Sequence, residues 1–234
     1  MPSIDNGTMR RITGIKEDKN HSSPFDELAS EYDAWFDKDG SLIFFIEVQA
    51  FKSLLPALPK PWLEIGVGSG RFAQALGIEA GIDPSIELIN IAKRRGINAF
   101  LGRGDQILYD QGTLGTVFLI VTLCFLDTPL DVLKEANRIL VPDGKIVLGL
   151  VLKESPWGRL YQQKRDEGHR FYKLATFYSN DEVVKLLLQA GFVPERTIST
   201  LFQKPGEVQN TEVSREGYFA DAGFTIITAG KKDK

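Results

Sequence analysis

The sequence predicts an α/β protein: a doubly wound, mostly parallel seven-stranded sheet with a helical cap ahead of it. Three observations predict this class. From Trp62 onward, short apolar runs the length of buried strands alternate with amphipathic stretches. Glycines that end helices stand where three of those stretches stop, at Gly77, Gly96 and Gly191. The first apolar run feeds directly into a glycine-rich turn, "WLEIGVGSGRF", from Trp62 to Phe72.

The elements follow in order. Ser23, Pro24 and Asp26 have the spacing of a helix start, a capping hydroxyl with proline at the first position and an acid three residues after the cap, so a helix is expected over "FDELASEYDAWFDK". A second apolar stretch, "LIFFIEVQAFKSLL", has the length of a buried helix and stops at Pro56, and "ALPKP" connects it onward. Strands are expected at "WLEIG", "EAGID", "NAFLG", "TVFLIVTLCFL" and "KIVLGLVL". Between them fall helices at "RFAQAL", from Pro84 to Arg95, and from Pro129 with Thr128 as its cap. Ser179 and Glu182 form a capping box for "SNDEVVKLLLQAGF", and strands around 193–201 and 224–229 close the pattern. The expected organisation is a leader over 1–22 and one domain over 23–234. Within that domain, 23–60 form the cap, 61–152 the ligand-binding core, 153–179 an insert and 180–234 the last helix and strands.

Composition bounds the function. With 234 residues, 43% of them hydrophobic, the chain can bury a sizeable core as one domain. Lys plus Arg number 28 against 31 Asp plus Glu, and a net charge of -3 gives no reason to expect nucleic acid or an anionic membrane as partner. A small molecule is the expected partner. Cys124 is the single cysteine, so no intramolecular disulfide and no cysteine metal cluster can form. The polar start lacks the apolar segment of a signal peptide and "VFLIVTLCFL" is too short to span a bilayer, which predicts a cytoplasmic protein.

In an open parallel sheet, ligands sit beyond the carboxyl ends of the strands, where Gly66, Gly68 and Gly70 are placed. Glycines there allow a sharp turn and close approach of a ligand to the main chain. Dinucleotide-binding turns read G-x-G-x-x-G and would need glycine where Arg71 stands. Glu64, two residues before the first glycine, suits a ligand with a positive amino group better than a pyrophosphate. Asp83 ends the next strand, 83 − 64 = 19 residues on, where a carboxylate can accept both hydroxyls of a ribose.

These residues resemble the class I S-adenosylmethionine-dependent methyltransferases, from about Phe25 onward. "LEIGVGSG" is similar to that family's first motif, "GIDPS" to its second and "NRILVPDGKIVLG" to its strand-five motif; "FDELASEYDAWF" is similar to its cap and "AGF" to the end of its late helix. The resemblance implies that Gly66, Gly68 and Gly70 pass under the methionine part of S-adenosylmethionine, with Glu64 ordering that loop. It implies Asp83 on the ribose diol with Pro84 and Ser85 beside it, Gly104 and Asp105 near the adenine, Thr122 near the methyl donor, and Tyr32 and Trp35 over the cofactor. Two departures stand out: Arg103 takes the place of the family's usual acid, and Gly115 with Thr116 replace the "FD" that opens strand four.

The implied activity is methyl transfer to a small-molecule acceptor, with no catalytic residue and no metal ligand assigned. Two other readings share the sheet: a methyltransferase-like protein that binds S-adenosylmethionine or a protein partner without turnover, and a nicotinamide-dependent oxidoreductase. Asp83 could instead be a helix cap, and Cys124 a strand residue packed near the core. The insert collects Trp157, Tyr161, His169, Phe171, Tyr172, Phe177 and Tyr178, and is expected to close over the ligand with the cap.

Overall fold

The apolar runs form one sheet with helices on both faces. The structure, a computed structural model, describes residues 23–232, so the leader expected over 1–22 lies outside the described residues. The cap holds α1 (Ala29–Trp35) and α2 (Ser41–Lys52). The core follows as β1 (Trp62–Ile65), α3 (Arg71–Leu76), β2 (Ala80–Asp83), α4 (Ile86–Arg94), β3 (Asn98–Leu101), β4 (Leu114–Ile120), α5 (Pro129–Ile139) and β5 (Leu140–Leu150). After it come α6 (Pro156–Asp166), α7 (Asn180–Gln189), β6 (Phe192–Thr200), β7 (Arg215–Glu216) and β8 (Phe224–Lys231).

The strands lie in the order β3-β2-β1-β4-β5-β8-β6-β7, eight rather than the seven expected. The extra strand is the two-residue β7 at the edge, paired to β6 and tied by the Arg196 to Glu216 ion pair. Two residues carry no readable alternation, which is why the sequence does not announce them. Pairing is parallel from β3 through β5, and antiparallel where β8 meets β5 and β6. Strand order reverses between β1 and β4, so the crevice for a ligand opens at their carboxyl ends.

One face of the sheet packs Phe72 and Ala73 of α3, Ile89 and Ala92 of α4 and Phe51 of α2 against Phe118 and Val147. The other packs Leu133 and Ala136 of α5 and Val183 and Leu187 of α7 against Leu63, Leu119 and Leu148. The helix stops are as expected: Gly77, Gly96 and Gly191 all have positive φ, and Ser179 with Glu182 completes the capping box of α7.

The departure at strand four has a structural reason. Gly115 and Thr116 receive the connector from the cap: both backbone amides donate to Pro61 O, at 3.0 and 3.1 Å, and Thr116 Oγ1 donates to Pro59 O at 2.7 Å. A side chain at position 115 would run into the Pro59 backbone.

Four local expectations are corrected. Residues 24–28 form turns and the helix begins at Ala29; the acid three residues after the cap does make its expected bond, Asp26 Oδ2 accepting from Ser23 N at 2.8 Å, while Oδ1 accepts from the Ser85 hydroxyl at 2.5 Å. Strand four stops at Ile120, since Val121 takes a φ of 52° and a 3-10 turn follows over Leu123–Phe125. Cys124 therefore sits in that turn and not on a strand. Thr128 stands at the head of α5 without a capping side-chain hydrogen bond.

Candidate active site

The glycine turn and the end of β2 are built as one unit. Gly66, Gly68 and Gly70 have φ of 73, 51 and 79°, a region that side chains rarely adopt. Gly66 N and Val67 N donate to Ile82 O at 2.8 and 3.0 Å, which straps the turn to the neighbouring strand. Asp83 completes the strap: Oδ2 accepts from Gly68 N at 2.9 Å and Oδ1 from Ser85 N at 2.8 Å. Burial pushes the Asp83 carboxyl up to about 6, while the two amides pull it back. The cap of α4 is Ser85, whose Oγ accepts from Leu88 N at 3.2 Å, so Asp83 is free of the helix-cap role.

A cavity of about 350 Å³ opens over this unit. Its wall brings together Gly66, Gly68, Asp83, Pro84, Gly104, Asp105, Thr122 and Tyr32. The other three candidates lie beneath it. Gly70 packs toward Ala92 and Ile97, and Ser85 is fully buried at the head of α4. Glu64 is 2% exposed and its Oε2 has no hydrogen-bond partner. Burial, with Asp83 nearby, pushes its carboxyl well above the usual range, against the pull of the Ala73 amide. Asp105 is engaged by Arg103, Nε to Oδ1 at 3.0 Å and Nη2 to Oδ2 at 2.9 Å, which holds the residue in place of the family's usual acid against the cavity rim. Thr122 Oγ1 donates to Ile120 O at 3.0 Å and lies 3.3 Å from Gly66 O; a side chain at position 66 would meet it.

The cap is clamped over the turn by charge. Asp33 of α1 accepts from Arg71 Nε at 2.9 Å and Arg95 Nη2 at 2.7 Å, and Arg95 Nη1 donates to Ser69 O at 2.7 Å. Asp37 takes the other side of Arg71, with Nη1 to Oδ1 at 2.6 Å. Burial raises the Asp33 carboxyl, but the two guanidiniums outweigh it and hold the group well below the usual carboxylate range. Arg71 thus stands where a dinucleotide turn needs glycine because it binds the cap.

A second cavity, about 540 Å³, lies between the cap and the insert. Its boundary with the first is made by Phe25, Tyr32, Val121 and Phe125, which belong to both walls. Phe25 meets Phe125 edge to face at 5.1 Å and Tyr32 at 6.2 Å. Val121, β-branched at positive φ, is strained by about 1 to 3 kcal/mol and turns the chain at this boundary. Burial, then the carboxyls of Asp83 and Glu64, keep the Tyr32 phenol protonated.

Of the insert's aromatics, Tyr161, His169, Phe171, Tyr172, Phe177 and Tyr178 face the second cavity, as does Trp35 of α1. Trp157 does not: it is 4% exposed and its indole donates to Gln203 O at 2.9 Å. Tyr161 and Tyr172 stack at 4.4 Å. The Arg170 to Glu31 ion pair at 3.0 Å joins insert to cap. Cys124 lines this cavity too, and burial pushes its thiol up to about 12, which withholds the thiolate a nucleophile needs.

The sequence reading missed Glu47. This acid of α2 is 6% exposed and reaches the second cavity, and burial pushes its carboxyl up to about 8. The available clue was one acid inside the apolar run "LIFFIEVQAF". Phe25, Val121 and Phe125 were missed as well; a turn, a strained φ and a 3-10 segment have no period to read.

Comparison with known proteins agrees with this geometry. The family described as "Methyltransferase domain" matches residues 44–197. An uncharacterized protein of Methanocaldococcus jannaschii is 36% identical over 88% of this chain and 98% of its own length. An uncharacterized protein of Mycobacterium tuberculosis is 36% identical over 86% of this chain and 71% of its own. A crystal structure from Thermotoga maritima, described as a SAM-dependent methyltransferase and possible histamine N-methyltransferase, superposes with a TM-score of 0.83 at 36% identity, covering 89% of this chain and 99% of that one. Among the described residues no helix is long and apolar enough to cross a membrane. The glycine turn strapped to the acid that ends β2 lies under an aromatic cap, and the chain belongs to the S-adenosylmethionine-dependent methyltransferases.

Proposed function

We propose that the protein methylates a small molecule held in the aromatic cavity, with S-adenosylmethionine in the cavity over the glycine turn. The observation that carries this reading is the shared boundary: two cavities of small-molecule size meet at Phe25, Tyr32, Val121 and Phe125. S-adenosylmethionine supplies an electrophilic methyl group on a sulfonium sulfur. Asp83 offers a free lone pair on each oxygen for the ribose diol, since each already accepts one amide. Gly66 and Gly68 leave room above the turn for the methionine part, and a cationic amino group there would draw the buried Glu64 carboxyl below it toward its charged form. Gly104 and Asp105 line the far end, where adenine would lie.

The protein's contribution is positioning and exclusion of water. The Asp33 clamp and the Arg170 to Glu31 pair hold cap and insert over the two cavities, so donor and acceptor meet in a dry, aromatic enclosure. Incubation with S-adenosylmethionine labelled in its methyl group and a cell extract tests this reading. Label should pass into a low-mass metabolite. Label found only in protein or nucleic acid, or S-adenosylmethionine left unconsumed, would overturn it.

A further inference from the structure

Glu47 sits on the inward face of α2, between Ile46 and Val48, which are both buried core residues. Its carboxyl lines the aromatic cavity and makes no hydrogen bond or ion pair among the described residues. Lys38 and Lys164 also line that cavity, yet neither pairs with it; Lys164 lies 6.0 Å from the centre of the Tyr172 ring. A buried acid without a partner is costly, and a fold keeps one where a ligand supplies the partner. The surroundings fix the sign of that ligand. Tyr161, Tyr172 and Trp35 line the cavity with π-systems that favour cations, and burial holds Glu47 neutral until a cation draws it to the carboxylate, a gain that an anion would not bring.

We propose that this cavity is a binding site for a small organic ammonium ion on an apolar body, with the Glu47 carboxylate as its counter-charge. The proposal rests on the reading of the aromatic cavity as the acceptor site and names the class of acceptor: a molecule carrying an ammonium group, which anchors it and has no lone pair to take the methyl group while charged. Binding of the ammonium needs only this cavity, so it can be read with or without the cofactor product.

The test uses the full chain, three ammonium probes and their neutral isosteres: 2-phenylethylamine, benzylamine and cyclohexylmethylamine, against 2-phenylethanol, benzyl alcohol and cyclohexylmethanol. Calorimetry at neutral pH, with and without saturating S-adenosylhomocysteine, should show at least one ammonium binding 10-fold or more tighter than its alcohol. Glu47→Gln should bring that ammonium to the level of the alcohol and leave the S-adenosylhomocysteine affinity within twofold. Should Glu47→Gln fail to fold, the wild-type preference for ammonium over alcohol decides alone. Equal binding of each pair, no measurable binding of any ammonium, or a preference that survives in folded Glu47→Gln would overturn the proposal. Failure of S-adenosylhomocysteine to bind, with the ammonium preference intact, would instead count against the cofactor reading alone.

Discussion

Gly68→Val should abolish S-adenosylhomocysteine binding in a protein that still folds. Gly68 has a φ of 51°, which costs a residue with a side chain about 1 to 2 kcal/mol and a β-branched one more. A Cβ built there meets only Tyr32 Cε1, at 3.7 Å, so it points into the space between turn and cap. Valine methyls would occupy the volume that the ligand needs, and the shifted backbone would pull Gly68 N from Asp83 Oδ2. Affinity should fall at least 100-fold by calorimetry. Gly68 is half-buried and its substitution removes no core side chain, so thermal unfolding should remain cooperative. Wild-type affinity in the variant would mean that the ligand does not run over this turn.

Asp83→Ala should weaken S-adenosylhomocysteine binding by about 1.5 to 3 kcal/mol, the range for hydrogen bonds to a charged group, or roughly 10- to 150-fold. The Asp83 oxygens hold both the Gly68 and the Ser85 amides, so the substitution also loosens the strap between β2 and the turn. Asp83→Asn separates the two effects: it keeps one acceptor for an amide or a ribose hydroxyl, and its loss should fall between those of wild type and alanine. Calorimetry beside a melting curve reads both. Unchanged affinity in folded Asp83→Ala would confine the residue to bracing the turn.

Much of this arrangement was legible because it depends on local chemistry. Gly77, Gly96 and Gly191 mark helix ends by conformation alone, and Ser179 with Glu182 marks a helix start through two short-range bonds. The glycine turn and Asp83 read correctly as neighbours because strand lengths and one crossover bring them to the same sheet edge. What was hidden depends on partners distant in sequence. Asp26 keeps its helix-start bond to Ser23 N, but its other oxygen accepts from Ser85, 59 residues away. The helix α6 is mostly polar and buries only Trp157 and Gly158, so it shows little apolar period. Glu47 was the hardest to see: on an otherwise apolar face its meaning comes from a cavity that α1, α2 and the insert enclose together.

The central claim is that the two adjoining cavities divide the cofactor and the acceptor between them. A crystal structure with S-adenosylhomocysteine tests it most directly. The ribose hydroxyls should lie within hydrogen-bond distance of both Asp83 oxygens, with the homocysteine part over Gly66 and Gly68. The sulfur should face the boundary at Tyr32 and Val121, and the aromatic cavity beside Glu47 should stay clear of the ligand. S-adenosylhomocysteine seated among Tyr161, Tyr172 and Glu47, or bound with its ribose away from Asp83, would contradict the account.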